Sequence, residues 1–308
     1  MKDKEEYADM KKKIAGSILM VCIIISTVCS VYAASEPEMP ENSVSARADS
    51  EAADVSDHEN ILFPDASEQT ATDHEDGIRE GWIQAKAKTY FYRNGKKQTG
   101  WQKIESRYYY FDKKGVLQKN KIAGDKKSGY YYVDPDGIRV TDTAIRAAVK
   151  FVMKHSDAKD SSRKRLKSCY NALAGYQYRR TGSDKPAAEK MKAYALEMFR
   201  NKKGDCYRFA AALAYIARVL GYDSRTAFDN SVTLHGWTEI KVKGKWQTCD
   251  CSMRRVDKKN NFFLVDKETY ASLVKIKWGA VIRWDSTYMM HVEKGKISWE
   301  AAAEGTKN

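Results

Sequence analysis

Apolar side chains recur at helical spacing in four segments between residues 141 and 220. The last segment runs from Phe209 to Leu220 and is rich in alanine, so it can pack closely against a sheet. Residues that favour the start of a helix stand before the other three segments. These starts are Thr141-Asp142, Ser161-Ser162 and Pro186. The pattern predicts four helices in this part of the chain.

The pattern changes to a period of two after the fourth predicted helix, which indicates β-strands. Trp237, Glu239 and Lys241 alternate with Thr238, Ile240 and Val242, which is a period of two. Lys243-Gly244 has the composition of a tight turn, and residues 245–250 form the predicted partner strand. We therefore predict a β-hairpin in this region.

The C-terminal portion predicts two more short strands, at residues 262–265 and 281–284. A short helix beginning near Asp266 separates them. Helices followed by an antiparallel sheet make residues 141–308 a predicted α+β domain.

Residues 81–140 contain an aromatic repeat. Gly81-Trp82 recurs 19 residues later as Gly100-Trp101. A strand followed by a turn occurs three times, and the second and third copies are 22 residues apart. The copies are Phe91 to Gly95, Tyr110 to Gly115 and Tyr132 to Gly137. Each unit predicts a β-hairpin too small to bury its own face, so we expect neighbouring hairpins to stack into an N-terminal β-hairpin repeat module.

The N-terminus has the three parts of a secretory signal peptide. Lys11-Lys12-Lys13 precede an apolar run from Ile14 to Val31, and Val31 and Ala33 place small residues at a cleavage site. We therefore predict a signal peptide over residues 1–33 and a secreted protein. The run is also just long enough to span a bilayer, so an uncleaved membrane anchor is the alternative.

Residues 34–80 form a predicted linker. Residues 35–80 contain 14 acidic and 2 basic side chains, and Phe63 is the one aromatic residue among them. Such a segment buries too little apolar surface to order itself, and its like charges repel one another. We predict a disordered acidic linker between the signal peptide and the repeats.

The remaining residues, 81–308, are strongly basic. They contain 47 basic and 23 acidic side chains, a net charge of +24 against +13 for the whole chain. Nucleic acid is a common partner of proteins with such an excess of basic side chains. For a secreted protein we expect anionic cell-wall polymers instead, and a membrane surface only if the signal is uncleaved. A solvated basic face without a specific partner is the alternative.

Cys206 stands where the fourth predicted helix begins. Gly204 and Asp205 break the chain just before it. The first turn of a helix carries free N–H groups and partial positive charge, which favour a thiolate and can stabilise a developing oxyanion. Cys206 is therefore a candidate nucleophile.

A histidine and an aspartate fall on the predicted hairpin. His235 lies on the first strand, and Asp250 closes the second. A hairpin can set the two side by side, so that the carboxylate orients the imidazole while the other ring nitrogen faces Cys206. Cys206, His235 and Asp250 are the predicted catalytic residues of an acyl transfer.

The motifs around these residues resemble those of the transglutaminase-like superfamily. They are Gly204-Asp205-Cys206, His235-Gly236-Trp237, Asp250, Leu220-Gly221-Tyr222 and Tyr176-Gln177-Tyr178. Cys251 departs from the pattern, since the family commonly has proline after the aspartate. The resemblance covers roughly the last 165 residues, about one domain. It implies a papain-like core in which cysteine, histidine and aspartate act in that chain order.

The hairpin repeats resemble the choline-binding and glucan-binding wall repeats of Gram-positive bacteria. In choline binders, aromatic side chains of adjacent repeats surround a quaternary ammonium group. The resemblance implies a wall- or glycan-binding site at Trp82, Tyr92, Trp101 and Tyr110. The third copy departs from it, because Asn120-Lys121 stands where Gly-Trp is expected. A structural spacer whose aromatic side chains form its own core is the alternative.

Together these features predict a secreted, cell-wall-associated cysteine enzyme of Gram-positive type. It would act on a protein or peptide substrate, at peptide or glutamine amides, by hydrolysis or by transamidation. The competing prediction is a non-catalytic wall-binding protein or adhesin that uses the same fold as a scaffold. We expect Cys249 and Cys251 to be buried thiols, and we expect no metal and no cofactor.

Overall fold

The computed structural model describes residues 79–180 and 185–302. The predicted signal peptide, residues 1–33, lies outside these residues. The predicted acidic linker does too, apart from Arg79 and Glu80. None of the described helices combines the length and the apolar character that a membrane crossing requires.

The described residues form a mixed helical and sheet structure, as predicted. The helices are α1 (Thr143–His155), α2 (Ser162–Ala174), α3 (Met191–Asn201), α4 (Cys206–Val219), α5 (Cys251–Val256) and α6 (Lys267–Trp278). The strands of the repeat region are β1 (Gly81–Ala85), β2 (Lys88–Arg93), β3 (Lys96–Lys97), β4 (Gly100–Ile104), β5 (Arg107–Phe111), β6 (Lys121–Asp125) and β7 (Gly129–Val133). The later strands are β8 (Gln177–Tyr178), β9 (Lys203–Gly204), β10 (Ser224–Asp229), β11 (His235–Val242), β12 (Lys245–Cys249), β13 (Phe263–Val265), β14 (Ser286–Glu293) and β15 (Lys296–Ala301).

A six-stranded antiparallel sheet supports the C-terminal region, with strand order β13-β12-β11-β10-β14-β15. Strand β11 lies between β10 and β12. At one end of it His235 pairs with Asp229, and at the other Val242 pairs with Lys245. Lys243-Gly244, both with positive φ, form the predicted tight turn between β11 and β12.

Helix α4 lies at the centre of the core, and almost all of its side chains are buried. Its small alanine side chains let the backbone approach β10 and β11 closely. Thr238 of β11 donates a hydrogen bond to the carbonyl of Ala210 at 2.8 Å, and Ser224 of β10 donates to the carbonyl of Ala214 at 2.9 Å. Enlarging the fully buried Ala214 would overpack this contact, at a cost of about 1–3 kcal/mol. These bonds fix the position of α4 against the sheet.

The predicted starts of the first two helices are confirmed. Asp142 caps α1 by accepting hydrogen bonds from the N–H groups of its first turn, and Ser161 caps α2. The third helix begins later than expected, at Met191. The residues that follow Pro186 first form a short 3-10 turn, Ala188–Lys190, and α3 continues from it.

The prediction of a strand at residues 281–284 is wrong. This segment is irregular. Ile282 is buried and Trp284 partly buried because both pack against the core beneath α6, whereas Val281 is exposed. The Trp284 ring meets the Trp237 ring edge-on, with centroids 4.9 Å apart. The strands of this region come later, as β14 and β15, joined by a turn at Lys294-Gly295. The strand predicted at 262–265 is confirmed as β13.

The repeat region consists of three antiparallel hairpins, β1–β2, β4–β5 and β6–β7. Asp112 and Asp134 occupy equivalent turns 22 residues apart. Each carboxylate accepts hydrogen bonds from the backbone N–H groups two and four residues later. Gly115 and Gly137 complete these turns with positive φ, a conformation that favours glycine. The turn chemistry confirms the 22-residue step.

The third hairpin packs directly onto the helical core. Tyr132 of β7 is fully buried in the cluster that contains α1 and α4. Its hydroxyl donates a hydrogen bond to Asn120 Oδ1 at 2.7 Å, and Asn120 Nδ2 donates to the carbonyl of Gly221 at 3.1 Å. Asn120, which stands where the other repeats have glycine, therefore connects the hairpin to the loop after α4.

Candidate active site

Cys206 is the first residue of α4 and is almost fully buried. Asp205 caps the helix by accepting a hydrogen bond from the backbone N–H of Arg208 at 3.1 Å, and it pairs with the Arg208 guanidinium at 2.9 Å. Gly204 has no room for a side chain, since a Cβ there would lie 2.8 Å from Arg208. The local sequence thus holds the sulfur at the N-terminal end of the helix, where we expected it.

Strands β8 and β9 pair in parallel and bring Tyr178 beside Cys206. The Tyr178 ring stacks nearly parallel to Phe209, with centroids 6.4 Å apart. The Tyr178 side chain lies close enough to Cys206 for both the backbone and the thiol of Cys206 to influence its hydroxyl. Burial, together with the Cys206 side chain, raises the pKa of Tyr178 above its ordinary value. The hydroxyl is therefore neutral at physiological pH and retains a proton to donate.

His235 is the first residue of β11 and follows a constrained loop. Leu234, just before it, has a positive φ of 47°, and its carbonyl lies 3.9 Å from the Cys206 sulfur. Asp229 holds the loop together by accepting hydrogen bonds from the backbone N–H groups of Ser231 and Val232. Burial raises the pKa of Asp229, but these hydrogen bonds outweigh it and lower the pKa to about 2. Asp229 therefore stays ionised at physiological pH, and its carboxylate holds the loop in place.

Asp250 ends the second strand and also caps α5. One carboxylate oxygen, Oδ1, accepts hydrogen bonds from the Ser252 N–H and hydroxyl and from the Met253 N–H, at 2.7–3.0 Å. The other oxygen, Oδ2, accepts from His235 Nε2 at 2.7 Å and from the Tyr270 hydroxyl at 2.7 Å. Together these donors hold the Asp250 carboxylate in one orientation toward the histidine.

His235 and Asp250 form a buried ion pair. Burial lowers the pKa of His235, but the Asp250 carboxylate and the Cys206 side chain outweigh burial and raise it to about 10. Burial also raises the pKa of Asp250, yet the His235 imidazolium and the donated hydrogen bonds leave it below its ordinary value. Because Nε2 faces Asp250, Nδ1 is the ring nitrogen that remains for Cys206. An imidazolium between a sulfur and a carboxylate can both stabilise a thiolate and deliver a proton.

Aromatic side chains enclose the histidine. Trp237 stacks against the His235 ring at 6.1 Å, and Trp278 meets it edge-on at 5.0 Å. Trp278 is 42% exposed, so it forms part of the surface next to the site. Neither Trp278 nor Tyr270 was among the residues predicted for the site. The helical period of α6 carried a signal only for Tyr270, which shares its buried face with Val274.

The other cysteines differ from Cys206 in environment. Cys169, Cys249 and Cys251 are buried free thiols, as we expected for the last two. Burial raises the pKa of Cys169 to about 11 and that of Cys249 to about 12, and it raises that of Cys251 as well. Cys249 and Cys251 flank Asp250 in the chain, but Cys206 is the cysteine whose side chain acts on His235 and raises its pKa.

The predicted wall-binding aromatic residues lie in separate clusters. Trp82 packs edge-on against Phe91 and Tyr109, at 5.1 and 5.0 Å. Trp101 packs edge-on against Tyr110, also at 5.1 Å. Lys97 Nζ lies 5.8 Å from the centre of the Tyr92 ring.

A cavity of about 490 Å³ lies between β7 and α1 and is lined in part by Tyr130, Tyr131, Arg146 and Lys150. None of the three predicted catalytic residues lines it. The hydrogen-bonded geometry around Cys206, rather than the size of a cavity, therefore identifies the candidate site.

Comparison with known families finds two matches. The Transglutaminase-like superfamily matches residues 149–251, a span that contains Cys206, His235 and Asp250. The Choline-binding repeat matches residues 98–143, which contain the second and third hairpins. No curated protein is a significant match to the chain.

Solved structures resemble separate parts of the chain. The choline binding domain of Spr1274 from Streptococcus pneumoniae is 29% identical, with a TM-score of 0.19, over 21% of this chain and 97% of that one. Choline binding protein F from the same organism, solved with a peptidoglycan analogue, is 26% identical, with a TM-score of 0.18, over 22% of each chain. A candidate cysteine protease from Cytophaga hutchinsonii is 14% identical, with a TM-score of 0.30, over 54% of each chain.

The family matches fall on the two regions that the fold separates into hairpins and an α+β core. The chain therefore contains a transglutaminase-like domain, matched at residues 149–251, preceded by a choline-binding repeat, matched at residues 98–143.

Proposed function

We propose that this protein is a cell-surface cysteine acyl-transfer enzyme of transglutaminase-like type. The observation that carries the proposal is the 2.7 Å contact between His235 and Asp250 beside a cysteine at a helix start. A structural histidine does not require a carboxylate held by four other donors. A general base must keep one orientation, and it therefore requires a carboxylate that is held in place in this way.

In the proposed mechanism, the Cys206 sulfur attacks the carbonyl carbon of a peptide bond or of a glutamine side chain. The oxyanion that forms is stabilised by the N–H groups at the start of α4 and by the Tyr178 hydroxyl. The C–N bond then breaks, and His235 gives its proton to the leaving amine or ammonia. A thioester remains on Cys206.

Water or a second amine resolves the thioester. His235, now neutral, removes a proton from this second nucleophile as it attacks, and the C–S bond breaks. Asp250 stabilises the imidazolium at both stages and stays ionised throughout. Water as the nucleophile makes the enzyme a peptidase or deamidase, whereas an amine makes it a cross-linking transamidase.

We further propose that the repeats attach the enzyme to the cell wall of a Gram-positive bacterium. The match to a choline-binding repeat and the stacked aromatic hairpins support a wall polymer or glycan as the partner. The proposed order along the mature chain is an acidic linker, repeats at 81–140 and a catalytic domain at 141–308. Export would follow from the signal peptide predicted at residues 1–33.

The test is acyl transfer from glutamine-containing peptides and wall peptides, with and without added amine. Wild type should release ammonia or a new amine and accumulate a thioester that mass spectrometry locates on Cys206. Cys206→Ala should abolish turnover, and His235→Ala should lose nearly all of it. Asp250→Asn should lose less, because the base is misplaced rather than absent. Trapping of Cys169, Cys249 or Cys251 instead would refute the assignment, as would near-wild-type rates in folded His235→Ala.

One observation favours the competing function, a wall-binding protein without catalysis. Cys206 and His235 are 4% and 5% exposed, so a substrate has narrow access to the sulfur. Alkylation with iodoacetamide separates the two functions. Selective labelling of Cys206 at neutral pH supports the enzyme, whereas four unreactive cysteines support the binding protein.

A further inference from the structure

Three aromatic rings of the second and third hairpins surround a cation that belongs to the chain itself. The Arg139 guanidinium carbon lies 3.9 Å from the centre of the Tyr108 ring, 4.8 Å from that of Tyr131 and 5.6 Å from that of Trp101. All three distances are within the range of cation–π attraction. We call Trp101, Tyr108 and Tyr131 the Arg139 cage.

Backbone pairing holds Arg139 in this position. Its N–H donates a hydrogen bond to the carbonyl of Tyr108 at 2.8 Å. The neighbouring residue Ile138 bridges to Tyr109, and Arg139 itself bridges to Val133. The cation is therefore fixed between the second and third hairpins by strand-like contacts on both sides.

Two polar atoms of the cage are surrounded by rings rather than by hydrogen-bond partners. Arg139 Nε and Trp101 Nε1 are buried and have no hydrogen-bond partner among the described residues. A cation in such a place is stabilised mainly by the negative ring faces. The same arrangement occurs on a smaller scale in the first hairpin, where Lys97 Nζ lies 4.2 Å from the centre of the Tyr90 ring.

We propose that Arg139 occupies the place of a cationic ligand, so the Arg139 cage is closed to quaternary ammonium groups such as choline. A second cation would have to displace the guanidinium or accept like-charge repulsion beside it. Two unit charges about 4 Å apart near a protein surface repel strongly enough to lower affinity by roughly a thousandfold. Cation–π attraction to the remaining ring faces does not offset that loss.

The repeats then do not bind a quaternary ammonium group at Trp101, and one residue, Arg139, sets that selectivity. The selectivity depends on the geometry of residues 101–139 and not on catalysis by Cys206. An enzyme without activity would leave it intact, and a closed cage would leave the proposed acyl transfer intact. Any wall binding by this face must then use another chemistry, such as stacking on sugar rings.

The experiment is a choline titration of the full mature chain, with sodium chloride at equal concentration as the reference. The indole N–H signal of Trp101, assigned by Trp101→Phe, reports on the cage by NMR. Choline should leave this signal unchanged in wild type and shift it in a saturable way in Arg139→Ala. Lys121→Ala is the matched control, because it removes an exposed cation of the third hairpin that lies outside the cage.

A saturable choline shift of Trp101 in wild type would overturn the proposal, and so would a shift in neither protein when Arg139→Ala is folded. If Arg139→Ala is too unstable for NMR, its melting temperature decides instead, since a ligand that binds only the folded state raises Tm. Choline should raise the Tm of Arg139→Ala above its value in sodium chloride but not raise that of wild type. Equal Tm values of Arg139→Ala in choline chloride and in sodium chloride would overturn the proposal.

Discussion

The Tyr270 hydroxyl donates a 2.7 Å hydrogen bond to Asp250 Oδ2, the same oxygen that contacts His235 Nε2. Tyr270 is fully buried on α6, which follows the β11–β12 hairpin in the chain. Burial, with the carboxylate beside it, raises the pKa of Tyr270, so the hydroxyl keeps its proton. Helix α6 therefore helps to orient a carboxylate at the end of a distant strand.

Removing this hydroxyl should weaken catalysis without abolishing it. Tyr270→Phe keeps the ring but leaves Asp250 with one donor fewer, a loss of about 1–3 kcal/mol for a buried polar group. We expect kcat to fall roughly 10- to 100-fold with KM nearly unchanged, because the residue acts through Asp250 rather than on substrate. Tyr215→Phe, at another buried tyrosine far from Asp250 along the chain, is the control for stability. A rate loss of equal size in both variants would show that Tyr270 serves only the core.

The protonation of His235 gives a second prediction. Its pKa in the folded protein, about 10, is above the ordinary value of about 6.5 for histidine. The ion pair therefore contributes full stability below about pH 6.5, and this contribution is lost as the pH rises through about 10. In Asp250→Asn the carboxylate is gone while burial remains, so the pKa should fall below its wild-type value.

NMR of the imidazole nitrogens measures this directly. At pH 8 the His235 ring should be doubly protonated in wild type and neutral in Asp250→Asn. His291, half exposed on β14, is an internal reference whose ring-nitrogen signals at pH 8 should be the same in both proteins. A neutral His235 in wild type at pH 8 would contradict the ion pair.

The three candidate catalytic residues carry local sequence signals because each one stands at the boundary of an element. Cys206 begins a helix, His235 begins a strand, and Asp250 ends one strand and caps a helix. Capping residues, turns and changes of period are local signals that a single sequence carries. Partners that come from remote elements have no such signal. Tyr270 and Arg139 were missed because their roles depend on how whole elements pack.

The C-terminal hairpin was missed for a different reason. Lys294-Gly295 repeats the Lys243-Gly244 turn, with both residues of each pair at positive φ. The signal for a hairpin was therefore present in the sequence. The apolar residues of 281–284 gave a stronger apparent signal, but Ile282 and Trp284 pack under α6 without pairing in the sheet, and Val281 is exposed. Burial alone does not distinguish a strand from an irregular segment.

Tyr178 gives a third prediction, because its hydroxyl adjoins Cys206 and keeps its proton. Tyr178→Phe removes a donor for the developing oxyanion but keeps the stacking on Phe209. Loss of one such donor typically lowers kcat by about 100- to 1,000-fold, with little change in KM. Tyr176→Phe, two residues earlier, keeps the local strand composition and should retain wild-type rates. Unchanged turnover in Tyr178→Phe would mean that the backbone N–H groups alone stabilise the oxyanion.

The last prediction concerns wall binding by the repeats. Aromatic stacking on a wall glycan depends little on salt, whereas attraction between the basic chain and anionic polymers is screened, with a Debye length of about 3 Å at 1 M salt. The test compares the retention of wild type, Trp82→Ala and Trp101→Ala on purified cell walls at low and at high salt. Wild type should stay bound at high salt, and the variants should lose that salt-resistant part. Added choline should not elute wild type from Trp101 if Arg139 closes that cage.

Point variants are the right tool because the third hairpin belongs to the core. Tyr132 is fully buried against the helices, so deleting residues 81–140 would expose apolar surface and confuse loss of binding with loss of folding. Lys103→Ala on β4 removes an exposed charge and is the matched control. It should weaken retention slightly at low salt and leave retention at high salt unchanged. If all four proteins were retained equally at high salt, the hairpins would be a spacer whose aromatic residues serve only their own packing.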